Sequence, residues 1–386
     1  MDILKIHIFI TFMIIPILLF AQDDYEKYLR EQDAALSRIV EDENEYLENI
    51  TQEFTNYVRN QEKLYQDFKD AVEEKWGSFR FSTKKVYVDY DEDLNARSSI
   101  NFDKGAVEVE VIVEDEPNKS STEKKKAGEK LLQEKIGSIV TKKAEDKQLL
   151  LKDQLVTLRG EKVSSKNAGV YAKEIIEKQT VTKKKIKSKD GKTRIKYSVK
   201  ITMLPNHLEI RANRFKHEVL KQSKRFNIDP AVAFAIMHTE SSFNPRARSH
   251  IPAYGLMQLV PESGARDAFN HVYKEDRLLK GSYLYVPANN IELGCAYISK
   301  IRFIYFRKVK DEKSAYFCTI SAYNTGAGNV ARAMTGETRL DVATNKINSM
   351  NSDKVYKTLK KKLPYAETRN YLEKVTGRIE YYRAWI

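Results

Sequence analysis

The sequence has few of the residues that form disulfides and metal sites. Its 386 residues include 2 cysteines, Cys295 and Cys318, and 6 histidines. At most one disulfide can form, and the histidines do not have the spacing of metal ligands. Both cysteines lie in apolar sequence with helical character, so a disulfide and two buried free thiols are both compatible with it. We predict that the protein needs no metal and no other cofactor.

The sequence also lacks a long apolar run. Its longest, residues 8–20, is shorter than the roughly 20 residues of a membrane-spanning helix, and Pro16 interrupts it. Lys5 precedes this run and Ala21 follows it, which is typical of a secretion signal over residues 1–21; an uncleaved anchor is the alternative. Because Gln22 stands where a lipoprotein has cysteine, we expect an exported, periplasmic or envelope-associated protein that is not a lipoprotein.

Acidic residues are outnumbered by basic ones. Lysine and arginine total 67 against 54 aspartate and glutamate, giving a formal net charge of +13. Lysines cluster at 124–126, 183–185 and 360–362. Such clusters are typical of solvated faces, and the alternative is attraction to a polyanion. The polyanion could be nucleic acid, acidic lipid head groups or a cell wall with free carboxylates, and export argues against nucleic acid.

Residues 22–204 have mixed helical and strand patterns. The stretch 23–75 is predicted to be helical, with one apolar stripe formed by Leu47, Ile50, Phe54, Tyr57, Leu64, Phe68 and Val72. Alternating residues around 103–105 predict a β-hairpin, a lysine-rich helix is predicted from 122 to about 151, and 193–203 predicts a further strand. We predict a small α+β domain without an acid pair, a metal cluster or a phosphate loop. It is the part through which cell-wall or envelope proteins could be bound.

Residues 205–386 have the pattern of an all-helical domain. Helices are predicted over 207–226, from Pro230 onward, and over 291–306, 314–323 and 366–382. Asp229 is predicted to be the N-cap of the helix that begins at Pro230. The predicted fold class is therefore an α+β N-terminal domain followed by a mainly α domain.

Glu240 is the strongest functional signal in the chain. It follows the apolar run 231–237, which predicts a buried helix, and Pro245 prevents that helix from continuing far. Burial and the negative end of the helix dipole both disfavour the carboxylate. A glutamate that stays protonated near neutral pH can donate a proton to a glycosidic oxygen. An exposed glutamate at a helix end is the plain alternative.

A second carboxylate with a recognisable pattern is missing near Glu240. Ordinary glycosidases need two, and the next acids, Glu262 and Asp267, lie beyond a glycine turn. One acid can suffice when the substrate supplies its own nucleophile, because the attack is then intramolecular.

Two further segments carry side chains suited to sugar binding. Gly255 would let a sugar approach the backbone, Met257 offers a flexible apolar surface, and Gln258 offers amide hydrogen bonds. Tyr323 and Asn324 end a predicted helix and can reach hydroxyl and acetamido groups. The alternative is that these are a turn glycine and ordinary core side chains.

Taken together, these motifs resemble a known family. The resemblance depends on four segments: Glu240-Ser241, Gly255-Leu256-Met257-Gln258, Ala322-Tyr323-Asn324 and residues 364–371. They resemble the soluble-lytic-transglycosylase domain, a goose-lysozyme-like helical fold that cleaves peptidoglycan without hydrolysis. Upstream, residues 101–105 and 197–208 resemble the family of membrane-bound lytic murein transglycosylase C. The resemblance covers most of the chain after residue 21.

The resemblance implies a reaction and a set of site residues. Glu240 would protonate the bond between N-acetylmuramic acid and N-acetylglucosamine and then act as base, so that 1,6-anhydro ends form on peptidoglycan strands. Ser249 would contact the acetamido group or the acid. The other residues implied in substrate binding are Ser241, Gly255, Met257, Gln258, Tyr323, Asn324 and Tyr371. The chain has Ile251 where a second serine is expected. The alternatives are a hydrolytic muramidase and a wall-binding scaffold without activity.

Overall fold

The structure of the protein is a computed structural model that describes residues 52, 55–56, 59–60, 62–249 and 253–386. The chain divides into two compact units, residues 1–66 and 67–386. The described residues of the first unit are helical. The predicted signal segment and most of the predicted N-terminal stripe lie outside the described residues. Among the helices that are described, none combines the length and apolar character needed to cross a membrane.

The second unit begins with an antiparallel sheet of five strands. These are β1 (Val86–Tyr90), β2 (Ala96–Asn101), β3 (Ala106–Glu114), β4 (Thr182–Lys187) and β5 (Thr193–Thr202). Their spatial order is β1-β2-β3-β5-β4. Strands β2 and β3 form the predicted hairpin, with Asn101 paired to Ala106, and β5 is the predicted strand. Strand β4 is an exposed edge of the sheet.

Helices α2 (Ser121–Val140) and α3 (Ala168–Lys178) pack against one face of the sheet. Residues that alternate along β3, Val107, Val109 and Val111, are fully buried beneath them. The prediction that the lysine-rich helix reaches residue 151 is wrong, because α2 ends at Val140. Successive tight turns follow, and Leu150, Leu151 and Leu155 are buried among them. Helix α3 was not predicted.

The opposite face of the sheet is covered by helix α1, of which residues 67–76 belong to this unit. Val72 and Trp76 pack on Ile112 of β3. Phe68 of the predicted stripe is 39% exposed. Its ring makes edge contacts with the rings of Phe79, before β1, and Tyr90, at the end of β1. Helix α1 ends before Gly77, whose φ of 70° suits glycine. Of the described residues of the stripe, Val72 is fully buried, whereas Leu64 is 63% exposed.

The remainder is helical, as predicted. The helices are α4 (His207–Arg225), α5 (Pro230–Ser241), α6 (Arg266–Tyr273), α7 (Gly281–Leu284), α8 (Pro287–Lys300), α9 (Glu312–Thr325), α10 (Ala327–Thr335), α11 (Leu340–Asn348), α12 (Ser352–Lys362) and α13 (Ala366–Trp385). The helix predicted over 291–306 begins earlier, at Pro287, and its last turn is π-helical over Ile301–Tyr305. Helices α6, α7, α10, α11 and α12 were not predicted.

Helix α5 lies at the centre of the helical part. Asp229 caps it as predicted by accepting a hydrogen bond from the Ala231 amide, and residues 231–237 are at most 1% exposed. The ring of Tyr382 in α13 stacks on Phe234 at a centroid distance of 5.5 Å. Cys295 and Cys318 are buried free thiols, and burial raises the pKa of each to about 12. The structure thus favours the thiol alternative.

Arg211 joins the sheet to the helical part. This α4 side chain is 2% exposed, and its guanidinium donates to the carbonyl of Phe102, to the side chain of Gln154 and to the carbonyl of Ser242. Ser242 follows α5, and its hydroxyl donates to Asp103 at 2.7 Å. The hairpin between β2 and β3 is therefore fastened to the end of the central helix.

Candidate active site

A cleft of about 790 Å³ opens at the C-terminal end of α5. Its walls come from the loop before β1, the turn at residues 255–258, the end of α9 and the start of α13. Its lining includes Lys84, Glu240, Ser249, Gln258, Tyr323, Asn324, Glu367 and Thr368. The sequence-predicted acid therefore lies in the same cleft as several of the residues predicted to bind a sugar.

Glu240 is buried at the base of this cleft. It is 5% exposed and belongs to the last turn of α5, whose carbonyl end is negative. Burial raises the pKa of the Glu240 carboxyl, while the charge of Lys84 acts in the opposite direction. The net shift is upward, which favours the protonated form that can serve as a general acid.

Lys84 was not predicted as a site residue. Its ammonium lies 3.4 Å from Oε2 of Glu240 and 3.6 Å from Oε1 of Glu367. It comes from the loop before β1 in the N-terminal part, 156 residues before the acid. No local pattern in the sequence could have connected the two residues, since only the tertiary fold brings them together.

Two tyrosines lie close to the acid. The hydroxyl of Tyr371 is buried without a hydrogen-bond partner among the described residues, yet it is near enough to Glu240 to lower the pKa of that carboxyl. Tyr323 donates to the carbonyl of Met257 at 2.8 Å. Burial, reinforced by the Glu240 charge, raises the pKa of both tyrosines, so they remain neutral donors.

The glycine turn is shaped by packing within the protein. Gly255 has φ of 75°, and an added Cβ would lie 2.5 Å from the Asn290 amide nitrogen and 2.5 Å from the Leu284 carbonyl. Asn290 also accepts from the Met257 amide at 2.8 Å and donates to the carbonyl of Tyr254. Close approach of Asn290 and Leu284 is thus one reason for glycine here, and the approach of a sugar stays a prediction. The sequence analysis did not identify Asn290, because it lies in α8, 33 residues along the chain from Met257.

Of three predicted site residues on α5 and the turn, two lie away from the cleft and one lines it. Met257 is fully buried and its sulfur packs against Gly294. Ser241 is also fully buried, where its hydroxyl donates to the Leu256 carbonyl at 2.7 Å. Gln258 lines the cleft, and its amide nitrogen donates to the carbonyls of Ala247 and Gly255, while its buried Oε1 has no partner among the described residues. Only Gln258 of these three is placed to contact a ligand.

Three further residues complete the wall. Ser249 lines the cleft, and its hydroxyl accepts from the Ala253 amide at 3.2 Å. Thr368 donates to Oδ1 of Asn324 at 2.7 Å, which leaves the Asn324 amide NH₂ available to a ligand. Residue 251, where a second serine was expected, lies outside the described residues. Among the described residues, no group of three His, Cys, Asp or Glu side chains could hold a metal ion.

We expect Gly255→Ala to be destabilised by about 2–4 kcal/mol, because a Cβ would strain the left-handed backbone and collide with Asn290 and Leu284. Activity should fall too, since the turn carries Gln258. The measurement is urea denaturation followed by circular dichroism. Gly169→Ala in α3 is the matched control, because nothing lies within 4 Å of its added Cβ. Equal stability of the two variants would contradict the role assigned to the turn.

Comparison with known proteins accounts for both parts of the chain. The transglycosylase SLT domain model matches residues 218–345. The model of the N-terminal domain of membrane-bound lytic murein transglycosylase C matches residues 47–214. Two solved structures are similar over less of the chain. Lytic transglycosylase Slt from Pseudomonas aeruginosa, in an inactive mutant, is 25% identical with a TM-score of 0.31, covering 43% of this chain and 23% of that one. The 70 kDa soluble lytic transglycosylase from Escherichia coli is 21% identical with a TM-score of 0.34, covering 44% and 24%.

Curated relatives match over much greater lengths. Membrane-bound lytic murein transglycosylase C from Klebsiella pneumoniae subsp. pneumoniae is 34% identical over 327 residues, which cover 83% of this chain and 88% of the relative. The protein of that name from Cronobacter sakazakii is 34% identical over 328 residues, with the same coverage. The resemblance inferred from the sequence motifs is confirmed. Since both parts are matched in order and the identity extends over most of each chain, this protein belongs to the membrane-bound lytic murein transglycosylase C family of enzymes.

Proposed function

We propose that the protein is a peptidoglycan lytic transglycosylase. It cleaves the β-1,4 bond between N-acetylmuramic acid and N-acetylglucosamine and leaves 1,6-anhydro ends. The observation that carries this proposal is the buried carboxyl of Glu240, whose raised pKa suits proton donation, at the base of a cleft lined by amide and hydroxyl groups. The relatives' names, which specify murein, support the substrate class.

A single carboxyl group can catalyse the reaction in two steps. Glu240 transfers its proton to the glycosidic oxygen, and the bond from that oxygen to the anomeric carbon breaks. The 6-hydroxyl oxygen of the same N-acetylmuramic acid then bonds to the anomeric carbon, and its proton passes to the Glu240 carboxylate. The acid is restored and no water is consumed. Because the nucleophile is tethered, the second step avoids the entropic cost of recruiting another molecule.

The neighbouring side chains suit this role. Tyr371 can donate a hydrogen bond to the Glu240 carboxylate when it forms after the first step, because its hydroxyl is close by and neutral. The Asn324 amide presents a donor to the hydroxyl and acetamido groups of a glycan, and Gln258 lines the same cleft. Ser249 adds a hydroxyl to the same wall.

Hydrolysis is a second candidate, which the position of Glu367 favours. Both carboxylates contact the Lys84 ammonium, so the two oxygens concerned are at most about 7 Å apart, a bound compatible with the paired carboxyl groups of glycosidases. Glu367 could then activate a water molecule. Its side chain is 75% exposed, whereas the Glu240 carboxyl is held in a buried setting. We favour the intramolecular reaction because a single group of this kind suffices for it.

Product analysis separates these functions. Purified sacculi are digested with the full chain, and the released muropeptides are examined by mass spectrometry. We expect anhydro ends, which are lighter than hydrolysed ends by one water. Reducing ends whose formation disappears in Glu367→Gln would establish hydrolysis. If the folded protein binds sacculi but releases nothing, it is a wall-binding scaffold.

We also propose that the protein is exported and acts in the periplasm or at the envelope, without a lipid anchor. The relatives' names, which describe membrane-bound proteins, support an envelope location, and Gln22 at the predicted signal boundary supports the absence of a lipid. Its N-terminal part could also contact cell-wall or envelope proteins. Cell fractionation with and without detergent tests the location.

A further inference from the structure

Lys84 is held in the cleft by contacts on both its backbone and its side chain. The Asn244 side chain, just after α5, donates to the Lys84 carbonyl at 3.3 Å. The neighbouring Lys85 pairs with Asp103 at 2.7 Å, and Asp103 accepts from Ser242. The loop that carries Lys84 is therefore fastened to the segment following Glu240.

The ammonium of Lys84 lies between two carboxylates of the helical part. It is 3.4 Å from Glu240 and 3.6 Å from Glu367, and its side chain is 34% exposed. An ion pair at the surface of a protein contributes little to stability. This pair instead includes the residue on which the proposed chemistry depends, so its main consequence is for the charge of Glu240.

We propose that the N-terminal part takes part in the reaction through Lys84, which positions the Glu240 carboxyl and sets the upper limit of the pH range in which Glu240 can donate a proton. This inference rests on the proposed function, in which Glu240 is the acid. Lys84 is thus a positioning residue: it acts on the bond to be cleaved only through Glu240.

The charges around Glu240 give the proposal a direction. Burial raises the pKa of its carboxyl, Lys84 lowers it, and Glu367 raises it. The groups that face the carboxyl are these two together with the neutral hydroxyls of Tyr371 and Tyr323. When Lys84 loses its charge, Glu240 keeps its proton to higher pH. When Glu367 loses its charge, Glu240 gives up its proton at lower pH.

The test compares the pH dependence of kcat/KM for full-length variants on soluble glycan strands. In Lys84→Met, we expect the alkaline limb of the profile to move upward by about one pH unit or more, as for a carboxyl that loses an adjacent cation. In Glu367→Gln, the same limb should move downward. Lys84→Arg, which retains the charge, should resemble the wild type. Lys221→Met is the control, because Lys221 pairs with Glu218 on the surface of α4, outside the cleft lining, and its loss should leave the profile in place.

The outcomes distinguish this inference from the function on which it rests. The role of Lys84 is overturned if Lys84→Met is less active by the same factor at every pH or if its profile does not shift. The proposed function still holds in that case, provided that the wild type yields anhydro products. Wild-type protein that yields no anhydro ends overturns the proposed function instead. If Lys84→Met does not fold, the other two variants test the proposal. A downward shift of the alkaline limb in Glu367→Gln and an unchanged profile in Lys84→Arg support it. An unshifted profile in Glu367→Gln contradicts it.

Discussion

Replacing Glu240 by glutamine is expected to lower turnover by roughly 10²–10⁴-fold, the usual contribution of a general acid. The amide fills the same space, but it has no proton to donate to the glycosidic oxygen. The measurement is the rate of muropeptide release from sacculi. Glu262→Gln is the control, because Glu262 is an exposed acid close to the turn. A Glu240→Gln variant that retains near-wild-type turnover would show that another group is the acid.

The same substitution should make the protein more stable at neutral pH, by on the order of 1 kcal/mol. Burial raises the pKa of the Glu240 carboxyl in the folded state, so the folded state binds more protons than the unfolded one. Stability is therefore lost as pH rises above the unfolded pKa of about 4.3. Below that pH both states are protonated and the penalty disappears. The gain of Glu240→Gln in melting temperature should thus be present at pH 7 and absent near pH 4.

Replacing Arg211 by methionine should cost about 3–5 kcal/mol of unfolding free energy, the second large effect that the structure predicts. Three buried acceptors would lose their donor: the carbonyls of Phe102 and Ser242 and the side chain of Gln154. Arg211 is 2% exposed, and this burial lowers the pKa of its guanidinium to about 9.

Urea denaturation measures the cost of this replacement. Lys221→Met is the control on the same helix, since Lys221 pairs with Glu218 at the surface and should change stability little. Loss of activity in Arg211→Met is expected as well, because the arginine fixes the hairpin next to the end of α5. A loss below 1 kcal/mol would mean that the junction is held together by other contacts.

The parts of the fold and site that could be predicted are those encoded in neighbouring residues. The uninterrupted apolar run before Glu240 predicted both the burial of α5 and the position of its acid, and Asp229 and Pro230 predicted where it begins. The turn at 255–258 and the pair Tyr323 and Asn324 were likewise visible as short motifs. In each case the local sequence and the tertiary environment favour the same structure.

The parts that could not be predicted depend on contacts between distant residues. Lys84 reaches Glu240 only because the hairpin is fastened to α5, and Asn290 shapes the turn from another helix. The burial of Met257 depends on which way the turn faces, and that of Ser241 on the packing of the turn against the end of α5. The end of α2 was misjudged because no glycine or proline marks it; the leucines beyond it are buried by turns instead.

The lysines of β4 protect one edge of the sheet against aggregation between molecules of this protein. Strand β4 is an edge of the sheet and exposes Lys183, Lys184 and Lys185. Edge strands are where sheets of separate molecules join into aggregates, and a row of cations there makes such joining repulsive. The side of the sheet most open to a foreign strand is thus protected by charge, which favours dispersed molecules even at high local concentration.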